Sequence, residues 1–205
     1  MTPLKRAFDI AFALLVAAIL ALPFAGVLVW LLVTQGRPIF YVAERMRAPG
    51  RPFRLWKLRT MTLAPADRGV TGADKAARIT PAGRVLRRSR LDEVPQLWNV
   101  LRGDMSFVGP RPPLREYVER FPDLYARVLR SRPGITGMAT LHYHRHEALL
   151  LSRCATPAET DAVYARLCVP MKARLDLIYQ DRRNLCLDIW LIMQTGIPAL
   201  RRRQR

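Results

Sequence analysis

The sequence predicts an α-rich fold with a short β-hairpin: an N-terminal membrane-embedded helix over residues 1–36, then a compact helical domain over 37–205 that carries amphipathic helices on its surface. Three observations carry that class. The stretch from Ile10 to Val33 holds no charged residue. Much of the remainder reads as helix, with Thr-Pro and Gly as start and stop signals. Apolar patches at Ile39-Phe40-Tyr41-Val42 and at Phe53-Arg54-Leu55-Trp56-Lys57-Leu58 flank Ala48-Pro49-Gly50, the pattern of two short strands and a turn.

The uncharged segment would reach roughly 36 Å as a helix, enough to cross a bilayer core. Lys5, Arg6 and Asp9 precede it and Arg37 follows it. A signal peptide fits less well, because the apolar core is too long and no small-x-small cleavage site precedes the basic region. Pro23 sits near the middle, where it removes a donor and crowds the preceding turn. Basic residues at both ends give no clear orientation. Two readings fit: a helix that bends at Pro23 and returns to the same face, and a kinked spanning helix.

Past the hairpin, residues 64–78 are polar and glycine-containing, the composition of a mobile loop. Thr80-Pro81 predicts a helix start, with Thr as N-cap and Pro at the first position, running to about Arg88. A second helix is expected near Asp92-Glu93-Val94-Pro95, with Gly103 to cap its end. Gly109-Pro110-Arg111-Pro112-Pro113 is a rigid loop, 115–130 an amphipathic helix, and Arg132-Pro133-Gly134-Ile135-Thr136-Gly137 a turn. Residues 158–180 read as helix with a break near Pro170. Leu187, Ile189, Leu191 and Ile192 outline an amphipathic helix, and the basic run from Arg201 to Arg205 suits either solvent or anionic lipid.

Of the 205 residues 50% are hydrophobic, and 34 Lys and Arg stand against 16 Asp and Glu, a net +18. That excludes a disordered chain and predicts polyanionic company: nucleic acid, lipid head groups or phosphorylated substrates. Cys154, Cys168 and Cys186 form no C-x-x-C pair, which fits a reducing, cytoplasm-facing compartment.

The densest chemistry lies at Arg87-Arg88-Ser89-Arg90-Leu91-Asp92-Glu93-Val94-Pro95. Adjacent helical residues point about 100° apart, so one carboxylate can attack while the other holds a metal. An acidic N-cap facing solvent is the plainer alternative. Lys57 and Arg59 on a predicted strand and Arg111 in a proline-locked loop add cations suited to phosphate, against simple surface basicity.

Lys5-Arg6-Ala7-Phe8-Asp9, then Phe53 through Met61, then the unbroken run from Leu91 to Pro112, then Arg132 through Gly137 together resemble the bacterial sugar transferase family. These are polyprenyl-phosphate hexose-1-phosphate transferases with a small monotopic catalytic core. The resemblance covers residues 5 to about 140 in the family's order. It implies that Asp92 attacks the phosphate bearing the sugar of a UDP-sugar and releases UMP. Polyprenyl phosphate would then take the phosphosugar from the aspartyl intermediate. It implies Glu93 as the Mg2+ residue, and Lys57, Arg59, Arg87, Gln96 and Arg111 as substrate contacts. It also favours the re-entrant reading of residues 1–36, with the catalytic domain on the cytoplasmic face of the bacterial inner membrane among its lipids, in glycoconjugate or polysaccharide assembly.

Two departures bear on this. After Gly137 the chain reads Met138-Ala139-Thr140-Leu141-His142-Tyr143-His144-Arg145-His146, where many members carry a Gln-Val-Asn-Gly-Arg-Asn type run, so sugar specificity is open. On a strand the three histidines would share one face, as metal ligands or as polar surface or substrate lining. Leu22 stands where many members have Ser before the membrane proline. The alternative from another class is a membrane-tethered basic nucleic-acid binder, or a scaffold without catalysis. The chain lacks zinc spacing, an aromatic platform and a reading helix, so nucleic acid is not an expected partner. Oligomeric state is open, a homo-oligomer included.

Overall fold

The computed structural model of the chain describes residues 1–63 and 77–197. The loop expected at 64–78, apart from residues 77 and 78, and the basic run from Arg201 to Arg205 lie outside the described residues.

Helix α1 spans Pro3–Gln35 and passes through Pro23 without ending. Thr2 caps it, its Oγ accepting from the Lys5 N–H at 3.3 Å, and Pro3 occupies a position that needs no donor. Phe12, Ala13 and Val16 pack with Leu97, Val100 and Phe107, while Phe24, Leu28 and Leu31 pack with Leu58, Ala82 and Leu86. Leu14, Leu15, Ile19, Leu22, Val29 and Val33 stay exposed.

Strands β1 (Phe40–Ala48) and β2 (Arg51–Leu58) form the predicted antiparallel hairpin, from Phe40↔Leu58 to Ala48↔Arg51. Gly50 turns it at φ +68. Strand alternation places Lys57 on the face of the buried Phe53 and Leu55, so this lysine is drawn inward by its register. Helix α2 (Pro81–Ser89) starts as expected, the Thr80 Oγ accepting from the Gly83 N–H at 2.9 Å. Helix α3 (Gln96–Arg102) ends on Gly103 at φ +84.

Five expectations need correction. Asp92 and Glu93 do not open α3; they sit in a separate 3-10 turn, Leu91–Glu93, because Arg90 takes a left-handed conformation (φ 59) and redirects the chain. The single helix expected over 115–130 is two, α4 (Arg115–Arg120) and α5 (Pro122–Val128), since Pro122 cannot continue the first and restarts the second. The turn at 132–137 contains a strand, β4 (Gly134–Thr136), paired in parallel with β3 (Ser106–Val108). The approach is so close that a Cβ at Gly109 would overlap the Arg132 carbonyl oxygen. The histidine-bearing stretch is helix α6 (Met138–Leu151), so His142 and His146 share one face and His144 another.

Helices α7 (Pro157–Val163) and α8 (Val169–Arg182) are joined by a π-helical turn, Tyr164–Cys168, rather than broken at Pro170. The widened turn leaves room for the proline ring against the preceding carbonyls. Their inner faces, with Tyr117, Tyr125 and Tyr143, build one core. Helix α9 (Leu185–Gly196) buries Asp188, Leu191 and Gln194 and exposes Ile189, Trp190 and Met193.

Candidate functional site

Strand β2, the α2–α3 connection and the proline loop before α4 converge on the acidic pair. Arg90 holds Glu93 with two hydrogen bonds to Oε2, from Nε at 3.1 Å and Nη2 at 2.6 Å. The same Nη2 donates to the Ile135 carbonyl at 3.2 Å, tying the turn to β4. On the other carboxylate oxygen, Oε1, Lys57 Nζ stands at 3.7 Å and Arg111 Nη1 at 4.0 Å. Glu93 is thus enclosed by three cations. Asp92, 9% exposed, has no ion pair among the described residues.

The two carboxyls titrate apart. Burial, then the neighbouring Glu93 charge, pushes Asp92 above the usual carboxylate range, against the pull of Lys57, Arg87 and Arg90. Burial acts the same way on Glu93, but Lys57, Arg90 and Arg111 together outweigh it and hold that carboxyl below its usual range. Burial, then Arg111, pushes the Lys57 ammonium down to about 8, against the carboxylates beside it. Two adjacent acids with opposite shifts are a signature of divided roles.

Both acids line a cavity of about 1040 Å³. Lys57, Arg59, Arg87, Arg88, Arg90 and Arg111 form its cationic wall. Val16 and Leu20 of α1 reach the same cavity beside Phe107, and Thr140, His144, Thr195 and Gly196 close it from α6 and α9. The space can therefore take a ligand with a phosphate part and an apolar part.

Of the residues selected from sequence, Lys57, Arg87, Asp92, Glu93 and Arg111 meet here. Arg87 also donates from Nε to the Thr60 Oγ at 2.9 Å. Arg59 lines the cavity, but its Nη2 donates to the Gln35 and Gly36 carbonyls at 2.6 and 3.0 Å, which joins it to the end of α1. Gln96 is 2% exposed and does not line the cavity. Sequence reasoning gave Arg90 no role of its own; its place just upstream of the acids was the only signal. The α1 and α9 contributions had no local signal.

Among the described residues no group of three or more His, Cys, Asp or Glu is gathered closely enough to hold a metal. Mg2+ asks less of a protein: one or two carboxylates, with substrate oxygens and water completing the shell. Glu93 Oε1 fits, since its nearest cations stand back at 3.7 and 4.0 Å.

The sequence profile of bacterial sugar transferases matches residues 1–202. The exopolysaccharide production protein ExoY of Sinorhizobium fredii is 36% identical over 213 aligned positions, covering 96% of this chain and 84% of that protein. The UDP-glucose:undecaprenyl-phosphate glucose-1-phosphate transferase of Escherichia coli is 35% identical, over 80% of this chain and 36% of its own length. The UDP-N-acetylgalactosamine-undecaprenyl-phosphate N-acetylgalactosaminephosphotransferase of Aeromonas hydrophila is 32% identical, over 94% of this chain and 42% of its own. The chain therefore spans less than half the length of these last two relatives.

Proposed function

The chain belongs to the bacterial sugar transferase family, and from that premise we propose that it transfers a sugar-1-phosphate from a UDP-sugar to a polyprenyl phosphate at a membrane surface. One observation carries the assignment of roles: Glu93 is neutralised by Lys57, Arg90 and Arg111, whereas Asp92 faces the same cavity with no ion pair among the described residues. A carboxylate already paired is a poor nucleophile; its unpaired neighbour, made more basic by burial, is the better one.

In the first step an Asp92 oxygen attacks the phosphorus that bears the sugar. The bond from that phosphorus to the UMP oxygen breaks, and UMP leaves with the electron pair. In the second step an oxygen of the polyprenyl phosphate attacks the same phosphorus. The Asp92–phosphorus bond breaks, the carboxylate returns, and the product is a polyprenyl diphosphate sugar. Lys57, Arg87 and Arg111 hold the donor's phosphate oxygens and offset the charge that grows on the leaving UMP. Glu93 would hold Mg2+ through Oε1, and that ion would supply further charge neutralisation to the diphosphate.

A membrane location is supported by α1, which is long and apolar enough to cross a bilayer and is 6% buried over its most apolar window. The Ile189, Trp190 and Met193 face of α9 extends the apolar surface. The cytoplasmic face of the inner membrane follows from where nucleotide sugars and reduced cysteines reside. Arginines gathered around a concave wall suit a compact diphosphate better than a nucleic-acid duplex.

The test is UMP release from a panel of UDP-sugars by the purified full chain with undecaprenyl phosphate and Mg2+. Asp92→Asn should lower turnover by about 10³-fold or more and prevent any labelled phosphosugar adduct. Wild-type turnover in that variant would remove Asp92 from the role of nucleophile.

A further inference from the structure

The charged start of α1 borders a second cavity, which shares no lining residue with the one around the acidic pair. Its volume is about 110 Å³, the room of roughly four waters. That space admits a phosphate group and not a nucleotide. Lys5, Arg132 and Arg183 line it against a single carboxylate, Asp188.

The carboxylate is already satisfied. Its Oδ1 accepts from the Tyr179 hydroxyl at 2.6 Å and its Oδ2 faces Lys5 Nζ at 2.9 Å. The same ammonium holds Asp9 at 2.7 Å. Arg132 and Arg183 have no ion pair among the described residues. Burial, then the charges of Arg6 and Arg47, push the Arg132 guanidinium below its ordinary value, a crowding that an anion would relieve. Arg183 Nη1 donates to the Ser131 Oγ at 3.2 Å, which also accepts from Gln180 Nε2 at 3.1 Å. Ser106 lines the cavity and is 2% exposed, and its Oγ has no hydrogen-bond partner among the described residues. A buried hydroxyl without a partner is costly, and a ligand oxygen would remove that cost.

The place of the cavity in the chain indicates which anion it takes. Lys5 and Arg6 are the last cations before the uncharged stretch from Ile10 to Val33. With that stretch in hydrocarbon, they stand at the level of the lipid head groups. Helices α1 and α9 both begin at the cavity, with their caps Thr2 and Asn184 in its wall, and helix starts favour phosphate. Leu185 lines it too, and Ile189 and Trp190 lie exposed just beyond on α9. Tryptophan beside basic residues suits the head-group layer.

We propose that this cavity binds the phosphodiester group of a membrane phospholipid, with Arg132, Arg183 and Ser106 as donors. This rests on reading α1 as membrane-embedded, and it adds a lipid site separate from the one where the chemistry occurs. A lipid bound there holds the start of α1 in the head-group layer.

The experiment follows thermal unfolding of the purified full chain in dodecyl maltoside as phosphatidylglycerol is added. Tm should rise to a plateau. Arg183→Gln, at an exposed position, and Arg132→Gln should each raise the half-saturating phosphatidylglycerol concentration by about 10-fold or more. Arg182→Gln removes the same charge one residue away, outside the cavity wall, and should stay within about 2-fold of wild type. Diacylglycerol, which lacks the phosphate, and inorganic phosphate, which lacks the chains, should each leave Tm unchanged at the same concentration. Equal losses in the Arg182 and Arg183 variants, or no loss in Arg183→Gln, would overturn the site while the membrane reading stands. A full rise with diacylglycerol or with inorganic phosphate would overturn the phospholipid as occupant. Recovery of the wild-type chain in the soluble fraction of broken cells would remove the membrane reading and this site with it.

Discussion

At the scale of single residues, the site works through unequal treatment of two neighbouring acids. Glu93 is the counter-ion among Lys57, Arg90 and Arg111, and in the proposed reaction Asp92 is the acid left to react. The titration directions lead to a prediction at each end of the pH range. Asp92 must be ionised to attack, and burial with the Glu93 charge raises its pKa, so kcat/KM should be lost on acidification at a higher pH than for an ordinary carboxylate. Glu93→Gln removes one cause of that rise and frees two guanidinium groups and an ammonium. The acid limb should then move to lower pH, even though overall activity drops by about 10²-fold. At the other end, Lys57 titrates near 8 rather than its ordinary 10.5. Above that value the free enzyme loses a phosphate-binding cation, and kcat/KM should fall about tenfold per pH unit. Lys57→Arg, whose guanidinium stays charged, should remove this limb in a pH profile of UMP release. Stability moves in the opposite sense. Between about 8 and about 10.5 the unfolded chain holds the proton that the folded chain has lost, so the Lys57 contribution to stability becomes more favourable as pH rises.

At the scale of elements, what could be read in the sequence was what local chemistry decides. Thr80-Pro81, the hairpin around Pro49-Gly50 and the Gly103 cap all came out where capping and turn rules put them. The parallel pair β3 and β4 did not, because three-residue strands separated by α4 and α5 carry no periodic signal. Their pairing depends on backbone meeting backbone at Gly109, Gly134 and Gly137, which sequence alone presents as loop glycines. This junction holds Ile135, the acceptor for Arg90, so it positions the acids as well as closing the core. Gly109→Ala should therefore cost about 3 kcal/mol or more, since a Cβ there overlaps the Arg132 carbonyl rather than a movable side chain. For a chain of this size that is a fall of about 6–12 °C in Tm, read by thermal unfolding in detergent. Gly26→Ala, with nothing within 4 Å of the added Cβ, is the control and should leave Tm near wild type.

At the scale of the whole molecule, the site exists because α1 is fastened to the globular body at both ends. At its start, Arg6 donates to the Val100 and Leu101 carbonyls at 2.6 and 2.8 Å. Lys5 bridges Asp9 at 2.7 Å and Asp188 at 2.9 Å, and Tyr179 holds Asp188 from the other side at 2.6 Å. At its end, Arg59 donates to the Gln35 and Gly36 carbonyls, and the Thr80 hydroxyl donates to the Gln35 Oε1 at 2.9 Å. With both sets intact in the membrane, this helix of 33 residues would keep its two ends on one side of the bilayer, as the re-entrant reading expects. Breaking the first set would take Lys5 away from Asp188, which is 2% exposed, and breaking the second would strip Arg59 of its two carbonyl acceptors. Composition and Pro23 left re-entrant and spanning geometries equally open, because neither reports what the helix ends touch. The two geometries separate in one measurement. Single cysteines at Thr2 and Arg37, introduced into a variant lacking the native cysteines, should both react with a membrane-impermeant maleimide from the cytoplasmic side of inverted vesicles, and both be protected in intact spheroplasts. Reaction of the two positions from opposite sides would place α1 across the membrane and detach one end from the body that carries Asp92.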